Sequence, residues 1–387
     1  MKRKLLALLL CASIGLSICA CGDSNKKGTE NVSENTESTE EVVEITDADL
    51  PKLKELADYS DFKAILTEEA LTTEDEVSQG FTSFFANAGI GLVEVTDRDT
   101  IQDGDIVKVD YTGYESGEAF EGGSAKDQYI DVTNNCGIDG STGAATGGFI
   151  EEFTSALLGA KVGETINGDV TFPEKYQNED LAGKPATFEF KIHGIYVQAD
   201  ETTVTDAMVA ENFKEIYDVS TVAELKQYIE DEMNCAVVLQ YLMENSSFEV
   251  SDKYIDYRLY HYGKLWDTLV KESYGDSVDA DMYFSSMYGY SLEKMKELWK
   301  EDVTEQIKYE LLYEELAKKE SLTLDEEAVK EYIVTVFSQE MVDDNIERCY
   351  QSAGLGNAED GKIYLENRAK VNKFIMDKYK TAFSEAK

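Results

Sequence analysis

The chain has 387 residues, of which 42% are hydrophobic, and its formal net charge is −42. This length is enough for two or three domains, and this share of hydrophobic residues is enough for a buried core. The acidic residues are spread along the whole chain, which argues against nucleic acid as a partner because a phosphate backbone would be repelled.

The N-terminus has the pattern of a secretory signal peptide. Residues 2–4 are basic, and residues 5–18 form an apolar run that is short for a permanent membrane anchor. A small residue then precedes Cys21, which resembles a bacterial lipobox, where the cysteine after the cleavage site is lipid-modified. We therefore expect a signal peptide over residues 1–20 and a lipid on Cys21. The alternatives are an ordinary signal peptide with an incidental cysteine, or a cut before Cys19, where the preceding residue is not small.

Residues 21–47 are polar and acidic, and such a stretch cannot bury enough apolar surface to fold. We expect a disordered acidic linker, extended by charge repulsion, that separates the folded part from the membrane. No later segment has the unbroken apolar length of a membrane helix.

Residues 48–100 are predicted to be a strand and helix segment that packs on the next domain. The apolar run at 62–66 is interpreted as a strand, and the residues at 73–76 as the start of a helix. The apolar residues of that helix share one face: Val77, Phe81, Phe84 and Phe85.

The cysteines and histidines indicate no metal site and no nucleophilic catalysis. Cys136, Cys235 and Cys349 are too widely spaced for a disulfide framework or a zinc site, although one disulfide pair stays open. His193 and His261 have no nucleophile near them in the sequence. We therefore expect both histidines to be structural, and any chemistry to proceed without a histidine base.

Residues 101–198 predict a small α+β domain with an antiparallel sheet and one short helix. Apolar and polar residues alternate in the predicted strands, as expected for strands with one buried face. The strands are predicted around residues 107–111, 120, 129–132, 164–172 and 186–195. The helix is predicted over residues 149–158, with Gly159 as its stop signal.

Residues 199–387 predict an all-α domain. Apolar residues recur every four positions from Met295 to Leu311, which is typical of a long amphipathic helix. Capping boxes are predicted at 221–224 and 323–326. No proline follows Pro185, so nothing interrupts these helices.

Six short motifs follow one another along the α+β segment. They are DGDIVKVDYTG at 103–113, GEAFEGG at 117–123, FIEEF at 149–153, GAKVGE at 159–164, VTFPEKY at 170–176 and LAGKPATFEF at 181–190. Together they resemble the FKBP-type peptidyl-prolyl cis-trans isomerase domain in its trigger-factor form. The flanking helical part resembles, more loosely, the trigger factor chaperone domain. The ribosome-docking domain of that family has no counterpart in this resemblance, and the lipobox and acidic linker stand in its place.

The resemblance implies a prolyl-binding pocket in which Phe153 forms the floor and the backbone N–H of Ile150 holds a substrate carbonyl. The implied site residues are Tyr111, Phe120, Glu121, Tyr129, Ile150, Phe153 and Phe190. Two features depart from the family. Residues 134–148 form an insertion that we expect to border the pocket, and Asn178 falls near the place of a second tyrosine.

These residue types suit the isomerisation of a prolyl bond. Rotation of the amide must overcome a barrier of about 18–20 kcal/mol because it breaks the amide resonance. A dry aromatic pocket favours the twisted amide over the planar one, so catalysis needs neither proton transfer nor a cofactor. The competing interpretation is that the same apolar residues are simply core.

Two aromatic segments in the helical part are candidates for binding unfolded clients, because tyrosine, tryptophan and methionine adapt to many apolar surfaces. The first segment contains Tyr254, Tyr257, Tyr260, Tyr262 and Trp266. The second contains Tyr283, Phe284, Met287, Tyr288 and Tyr290. Helix–helix packing explains both segments equally well.

The function expected from the sequence is a lipid-anchored isomerase and chaperone. It would act on unfolded or nascent exported polypeptides at the outer face of the cytoplasmic membrane, without a ribosome as partner. The leading alternative is a holdase that uses the FKBP-type unit for binding only. A solute-binding lipoprotein is a third reading, but it requires two α/β lobes, and one small sheet followed by a helical half argues against it.

Overall fold

The computed structural model describes residues 43–383, so the expected signal peptide, Cys21 and most of the acidic linker lie outside the described residues. Two compact units divide the chain. The sheet unit contains residues 73–229, and the helical unit contains residues 43–72 together with 230–383. Within residues 43–383, no helix has the length and apolar character needed to cross a membrane.

The sheet unit is built on one antiparallel sheet with the order β2-β8-β3-β4-β5-β6, in which β7 also pairs with β8. Its strands are β2 (Leu92–Glu94), β3 (Ile106–Glu115), β4 (Glu118–Asp131), β5 (Cys136–Ile138), β6 (Ala145–Gly148), β7 (Thr165–Thr171) and β8 (Pro185–Gln198). The antiparallel sheet expected for this segment is therefore confirmed.

The alternation in β3 produces the expected half-buried strand. Val107 and Val109 are buried on the core face, whereas Lys108 between them is partly exposed. The next two predicted strands, around Phe120 and Tyr129, are instead one long strand, β4. Its register against β3 shifts twice, so bulges bend one continuous strand where the sequence suggested a break.

The short helix of this unit is α3 (Glu151–Ser155), which is shorter than the predicted span of 149–158. After the helix the chain forms turns, which are closed by backbone hydrogen bonds between residues three apart, such as Leu157 N to Thr154 O at 3.1 Å. Gly159 then ends the segment as expected, because its φ of +79° is a left-handed conformation that favours glycine.

The insertion at residues 134–148 forms a β-hairpin from β5 and β6 that extends the sheet at one edge. Asp139 closes its turn by accepting hydrogen bonds from Ser141 N at 3.0 Å and Thr142 N at 2.8 Å. The tip of the hairpin reaches Gly91, whose N–H donates to Ser141 O at 2.6 Å.

Three helical segments complete the sheet unit: α2 (Glu74–Asn87), α4 (Asp206–Tyr217) and the first residues of α5 (Val222–Asn245). The predicted start of α2 is confirmed by a full capping box between Thr73 and Glu76. Phe84 and Phe85 of α2 both pack edge-on against Phe213 of α4, with ring centroids 4.9 Å apart in each pair.

The helical unit contains one pair of short strands and a set of packed helices. The strands are β1 (Lys52–Glu55) and β9 (Ser247–Glu249). The helices are α1 (Phe62–Ile65), the remainder of α5, α6 (Asp252–Tyr274), α7 (Ala280–Tyr288), α8 (Leu292–Lys319), α9 (Glu326–Phe337), α10 (Gln339–Ala353) and α11 (Ala358–Phe383). Residues 48–100 are therefore divided between the two units.

The strand predicted at residues 62–66 is wrong, because this segment is the one-turn helix α1. Asp61 caps it by accepting hydrogen bonds from Lys63 N at 3.0 Å and Ala64 N at 3.1 Å. A short apolar run does not by itself distinguish a strand from a helical turn. The aspartate before the run was the signal for a helix.

The long amphipathic helix predicted around 295–311 is confirmed as α8, which buries Trp299, Val303 and Ile307 in one core. The capping box predicted at 323–326 is wrong. Asp325 caps α9 instead, by accepting a hydrogen bond from Ala328 N at 2.8 Å.

The three cysteines of the described part are free thiols. Cys235 and Cys349 are buried, and Cys136 is partly exposed at the start of β5. The structure therefore closes the alternative of one disulfide among them.

Candidate functional site

The sheet unit contains an aromatic cluster centred on Phe153 of α3. The centroid of the Phe153 ring lies 4.7 Å from Phe149, 4.8 Å from Phe188, 4.8 Å from Phe190 and 5.1 Å from Tyr111. Phe153 is 3% exposed and Phe190 is fully buried. Phe153 therefore lies at the centre of the cluster, in contact with all four of these rings.

The strand register brings the walls of this cluster together. Tyr111 of β3 lies directly opposite Phe190 of β8, and Gly113 lies opposite Phe188. Because side chains two apart on a strand share a face, Phe188 and Phe190 both face α3. Phe149 stacks on Phe153 at an interplanar angle of 4°.

Phe120 of β4 extends the cluster towards solvent and depends on two glycines. A Cβ added at Gly113 would lie 2.6 Å from the Phe120 ring, and one added at Gly123 would lie 2.5 Å from it. The ring therefore lies against bare backbone, where no other residue leaves enough space. Its centroid is 5.8 Å from Phe188 and 6.0 Å from Phe172.

Two tyrosine hydroxyl groups lie at this site. Burial raises the pKa of Tyr111, and the nearby Tyr176 adds to the effect, so the Tyr111 hydroxyl is a neutral hydrogen-bond donor. Tyr176 packs on Phe172 with ring centroids 4.6 Å apart. The second tyrosine is therefore Tyr176. Asn178 instead forms a turn, in which its Oδ1 accepts from Asp180 N at 3.0 Å.

The backbone N–H of Ile150 has no acceptor among the hydrogen bonds of residues 43–383. Ile150 precedes α3 with extended dihedrals, φ −74° and ψ 145°, and its own carbonyl accepts from Phe153 N at 3.0 Å. Its side chain packs against the sheet core. Among residues 43–383, this amide therefore lies next to the aromatic cluster in the chain and has no hydrogen-bond acceptor.

Tyr129 does not join the cluster. It pairs with Lys108 in the β3–β4 register, whereas its buried neighbour Ile130 pairs with Val107 on the core face. The strand alternation therefore places Tyr129 on the opposite face, where its ring packs against Tyr196 at 5.1 Å. The assignment of Tyr129 to the site is corrected for this reason.

Glu121 follows Phe120 on β4, and its side chain is exposed. Of the implied site residues, the structure therefore brings together Tyr111, Phe120, Ile150, Phe153 and Phe190.

Sequence reasoning missed four members of the site: Phe149, Phe172, Tyr176 and Phe188. For Phe188 the signal was present, since it shares a strand face with Phe190 at a spacing of two. Phe172 and Tyr176 both follow the end of β7, where spacing alone does not reveal which side chains point towards the cluster.

The insertion borders the site at Asn135 and at Gly137, where an added Cβ would lie 3.6 Å from the Phe149 ring. Asn135 Oδ1 accepts a hydrogen bond from the buried Thr154 hydroxyl of α3, and Asn135 O accepts from Phe149 N at 2.7 Å. The tip of the hairpin, by contrast, covers the Tyr129 face, where Gly140 lies against the Tyr129 ring.

The predicted client-binding residues fall into two groups. Tyr254 and Trp266 pack against the core of the helical unit, and Trp266 stacks on Trp299 at 6.0 Å. Tyr257 and Tyr260 are partly buried against His261. The aromatic residues of α6 therefore serve mainly in packing.

Tyr288, at the end of α7, is 58% exposed. Four exposed apolar side chains on α7 or just after it, Met282, Met287, Tyr288 and Tyr290, are here called the α7 surface. Of the two aromatic segments, the second therefore carries the accessible apolar surface.

Comparison with known protein families assigns both parts of the chain. Residues 98–193 match the model for FKBP-type peptidyl-prolyl cis-trans isomerases, and residues 211–355 match the model for the bacterial trigger factor C-terminus. The chain thus matches a model of an FKBP-type domain and, after it, a model of the trigger factor C-terminus, and the predicted fold class is confirmed.

The similar curated proteins are trigger factors. The trigger factor of Bacillus pumilus is 30% identical over 292 residues, which cover 73% of this chain and 63% of that protein. The trigger factor of Halalkalibacterium halodurans is 29% identical over 283 residues, which cover 70% of this chain and 61% of that protein. This chain is therefore similar to these two trigger factors, and it matches about three fifths of the length of each.

A solved structure of the trigger factor chaperone aligns with 85% of this chain and 72% of its own, at 15% identity and a TM-score of 0.26. The relationship accordingly rests on the sequence matches.

Proposed function

We propose that this protein is a peptidyl-prolyl cis-trans isomerase and chaperone for exported polypeptides, held at the outer face of the cytoplasmic membrane by a lipid on Cys21. The observation that carries the isomerase part is the aromatic cluster around Phe153, with the Ile150 N–H beside it, which has no acceptor within residues 43–383. The FKBP-type match of residues 98–193 supports the same activity.

The site suits a reaction that proceeds by differential binding. Phe120, Phe153 and Phe188 supply apolar faces for a prolyl ring, and the Ile150 N–H supplies a donor for a substrate carbonyl. The neutral Tyr111 hydroxyl is a second donor. Burying the amide among these rings removes the water that stabilises its planar form, which lowers the cost of rotation relative to the barrier of about 18–20 kcal/mol.

Isomerase activity on a proline-containing tetrapeptide tests this proposal. We expect Phe120→Ala to lower kcat/KM by about tenfold or more, because one wall of the site is lost. Tyr111→Phe should lower it by a smaller factor. Tyr129→Phe is the matched control, since that tyrosine lies on the other face of the sheet. Unchanged rates in both Phe120→Ala and Tyr111→Phe would overturn the site assignment.

The α7 surface is the proposed binding site for unfolded clients. Met287 is 62% exposed and Tyr288 is 58% exposed, and both side chains adapt to varied apolar partners. Replacing both with serine should weaken the suppression of client aggregation. Ile363→Ser is the matched control, because Ile363 is 48% exposed on α11. Equal suppression by all three proteins would contradict this placement.

The same experiments distinguish the holdase alternative from the isomerase. Suppressed aggregation without any isomerisation above background would favour a holdase that uses the FKBP-type domain for binding only.

The anchoring proposal rests on the lipobox-like sequence that ends at Cys21. When the full chain is expressed in a bacterial host with labelled palmitate, wild type should carry the label and sediment with membranes. Cys21→Ala should do neither, and an equally labelled Cys21→Ala variant would overturn the anchoring proposal.

A further inference from the structure

The strand β6 is an exposed edge of the sheet that leads directly into the aromatic site. It is the last strand in the sheet order, and all four of its residues are exposed. Phe149 and Ile150 follow it in the chain and belong to the site. A strand that paired with this edge would therefore extend as far as the aromatic cluster.

The hydrogen-bond pattern shows that the backbone of Gly148 faces the free side of β6. Gly148 pairs with Cys136, and the flanking bond runs from Phe149 N to Asn135 O at 2.7 Å. In an antiparallel ladder, a pair flanked in this way directs its own N–H and C=O groups away from the partner strand. The amide and carbonyl of Gly148 are therefore open to a further strand.

The Ile150 N–H continues the same row of donors. Directions of N–H groups alternate along an extended chain, so residues two apart point to the same side. Ile150 has extended dihedrals and no acceptor among the described residues, so Gly148 and Ile150 present successive open amides.

The edge also lacks most of the features that prevent strand addition. Natural edges are commonly blocked by charged side chains, by proline or by bulges. β6 has the sequence Ala-Thr-Gly-Gly, with neither charge nor proline, and its one bulge lies before Gly148. A Cβ placed at Gly147 would meet no atom within 4 Å. The face of the sheet at Gly147 is therefore uncovered, so a side chain of an added strand would meet no obstacle there.

From these observations we infer that an extended client segment adds to β6 as a further strand while its proline occupies the aromatic site. The inference rests on the proposed isomerase function and adds how the substrate is held: backbone pairing at Gly148 and Ile150 binds the residues that flank the proline. Pairing through the backbone accepts many sequences, because every residue other than proline carries the same N–H and C=O groups.

The test compares a tetrapeptide with an octapeptide that contains the same central proline. For wild type we expect kcat/KM to be about five-fold higher for the longer peptide, the effect of one or two added backbone bonds. Gly148→Pro removes the outward N–H, so the ratio should fall towards one. Gly148→Ala keeps the N–H, and its methyl group would contact only Asn135 O at 3.9 Å. This control should keep the wild-type ratio.

A second measurement uses wild type alone, so it does not depend on the folding of a variant. Octapeptides N-methylated at single flanking residues should lose the length advantage at alternate positions, where the N–H points at the strand. A wild-type ratio of one, an unchanged ratio in Gly148→Pro, or equal effects at all methylated positions would overturn strand addition. Absence of any isomerisation of the tetrapeptide would instead overturn the proposed function.

Discussion

The two units bury polar groups in different ways. In the sheet unit, the buried polar side chains among the described residues are Asp105 and Thr154, and the core is otherwise apolar and aromatic. In the helical unit, Arg258, Asp231 and Asn234 are buried among long helices. The sheet unit therefore buries a carboxylate, Asp105, which pairs with Arg98, whereas the helical unit buries a guanidinium, Arg258, which pairs with Glu310. Both units depend on a buried ion pair in addition to apolar packing.

The Arg258 pair is the clearest case of this dependence. Arg258 is 1% exposed, and its two terminal nitrogens donate to Glu310 at 2.6 and 2.8 Å, with a further contact to Gly354 O at 3.3 Å. Burial disfavours the charge, but the Glu310 carboxylate holds the pKa of Arg258 above its usual value. The guanidinium is therefore charged inside the helical unit.

Arg258→Ala should have the largest effect on stability. It leaves Glu310 without its partner, and loss of one member of a buried pair costs about 3–5 kcal/mol. Urea unfolding followed by circular dichroism measures the change. Lys373→Ala is the control, because its pair with Asp377 is exposed and such pairs contribute at most about 0.5 kcal/mol. Equal effects of the two substitutions would show that the buried pair contributes no more stability than the exposed pair.

Gly113→Ala tests the ring packing of the sheet unit. The new methyl group would lie 2.6 Å from both the Phe120 and the Phe188 rings, and such overpacking costs about 1–3 kcal/mol. The expected result is a lower unfolding midpoint together with reduced isomerase activity. Gly147→Ala is matched, since its methyl group meets nothing within 4 Å, and it should unfold like wild type.

Glu232→Gln tests the polar network of the helical unit through its pH dependence. Burial raises the pKa of Glu232, while the nearby Arg368 opposes the shift. A raised pKa contributes stability below the unfolded value, and this contribution is lost as pH rises through the folded value.

The ordinary pKa of a glutamate carboxyl is 4.5. From that pH up to pH 8, the free energy of unfolding should therefore fall more for wild type than for Glu232→Gln. Parallel curves for the two proteins would show that this carboxyl does not titrate differently in the folded state.

Thr73→Ala should have the smallest effect. The Thr73 side chain accepts a hydrogen bond from Glu76 N at 3.3 Å, and the Glu76 carboxylate accepts from Thr73 N at 2.8 Å. Loss of a helix cap costs about 1 kcal/mol, which thermal unfolding detects. Thr82→Ala, within the same helix, should cost less, and the reverse order would show that the cap does not stabilise α2.

For the sheet unit, the sequence predicted the strands and the clustered residues better than the face of the sheet that each side chain occupies. Alternation located β3 and β8, and the ordered motifs located Tyr111, Phe120, Phe153 and Phe190 in one site. It failed for Tyr129, because Tyr129 pairs with Lys108 on the face opposite the core, and in a strand the register decides which face a side chain occupies.

The helical unit shows a different limit. The four-residue spacing located α8, but the same aromatic residues fit packing and client binding equally well until the structure separated the exposed α7 surface from the packed α6 rings. Spacing along one helix states which residues share a face, but not whether another helix covers that face.

By itself, the sequence determined the elements that follow from local patterns: the α+β segment, the long helices, the Thr73 cap and the family resemblance. The tertiary structure decided the partner of Arg258, the face of Tyr129, the place of Tyr176 and the open edge of β6. The reason is physical: helix caps and strand alternation depend on neighbours a few residues away, whereas strand register, burial and ion pairing depend on residues that are distant in the chain and meet only after folding.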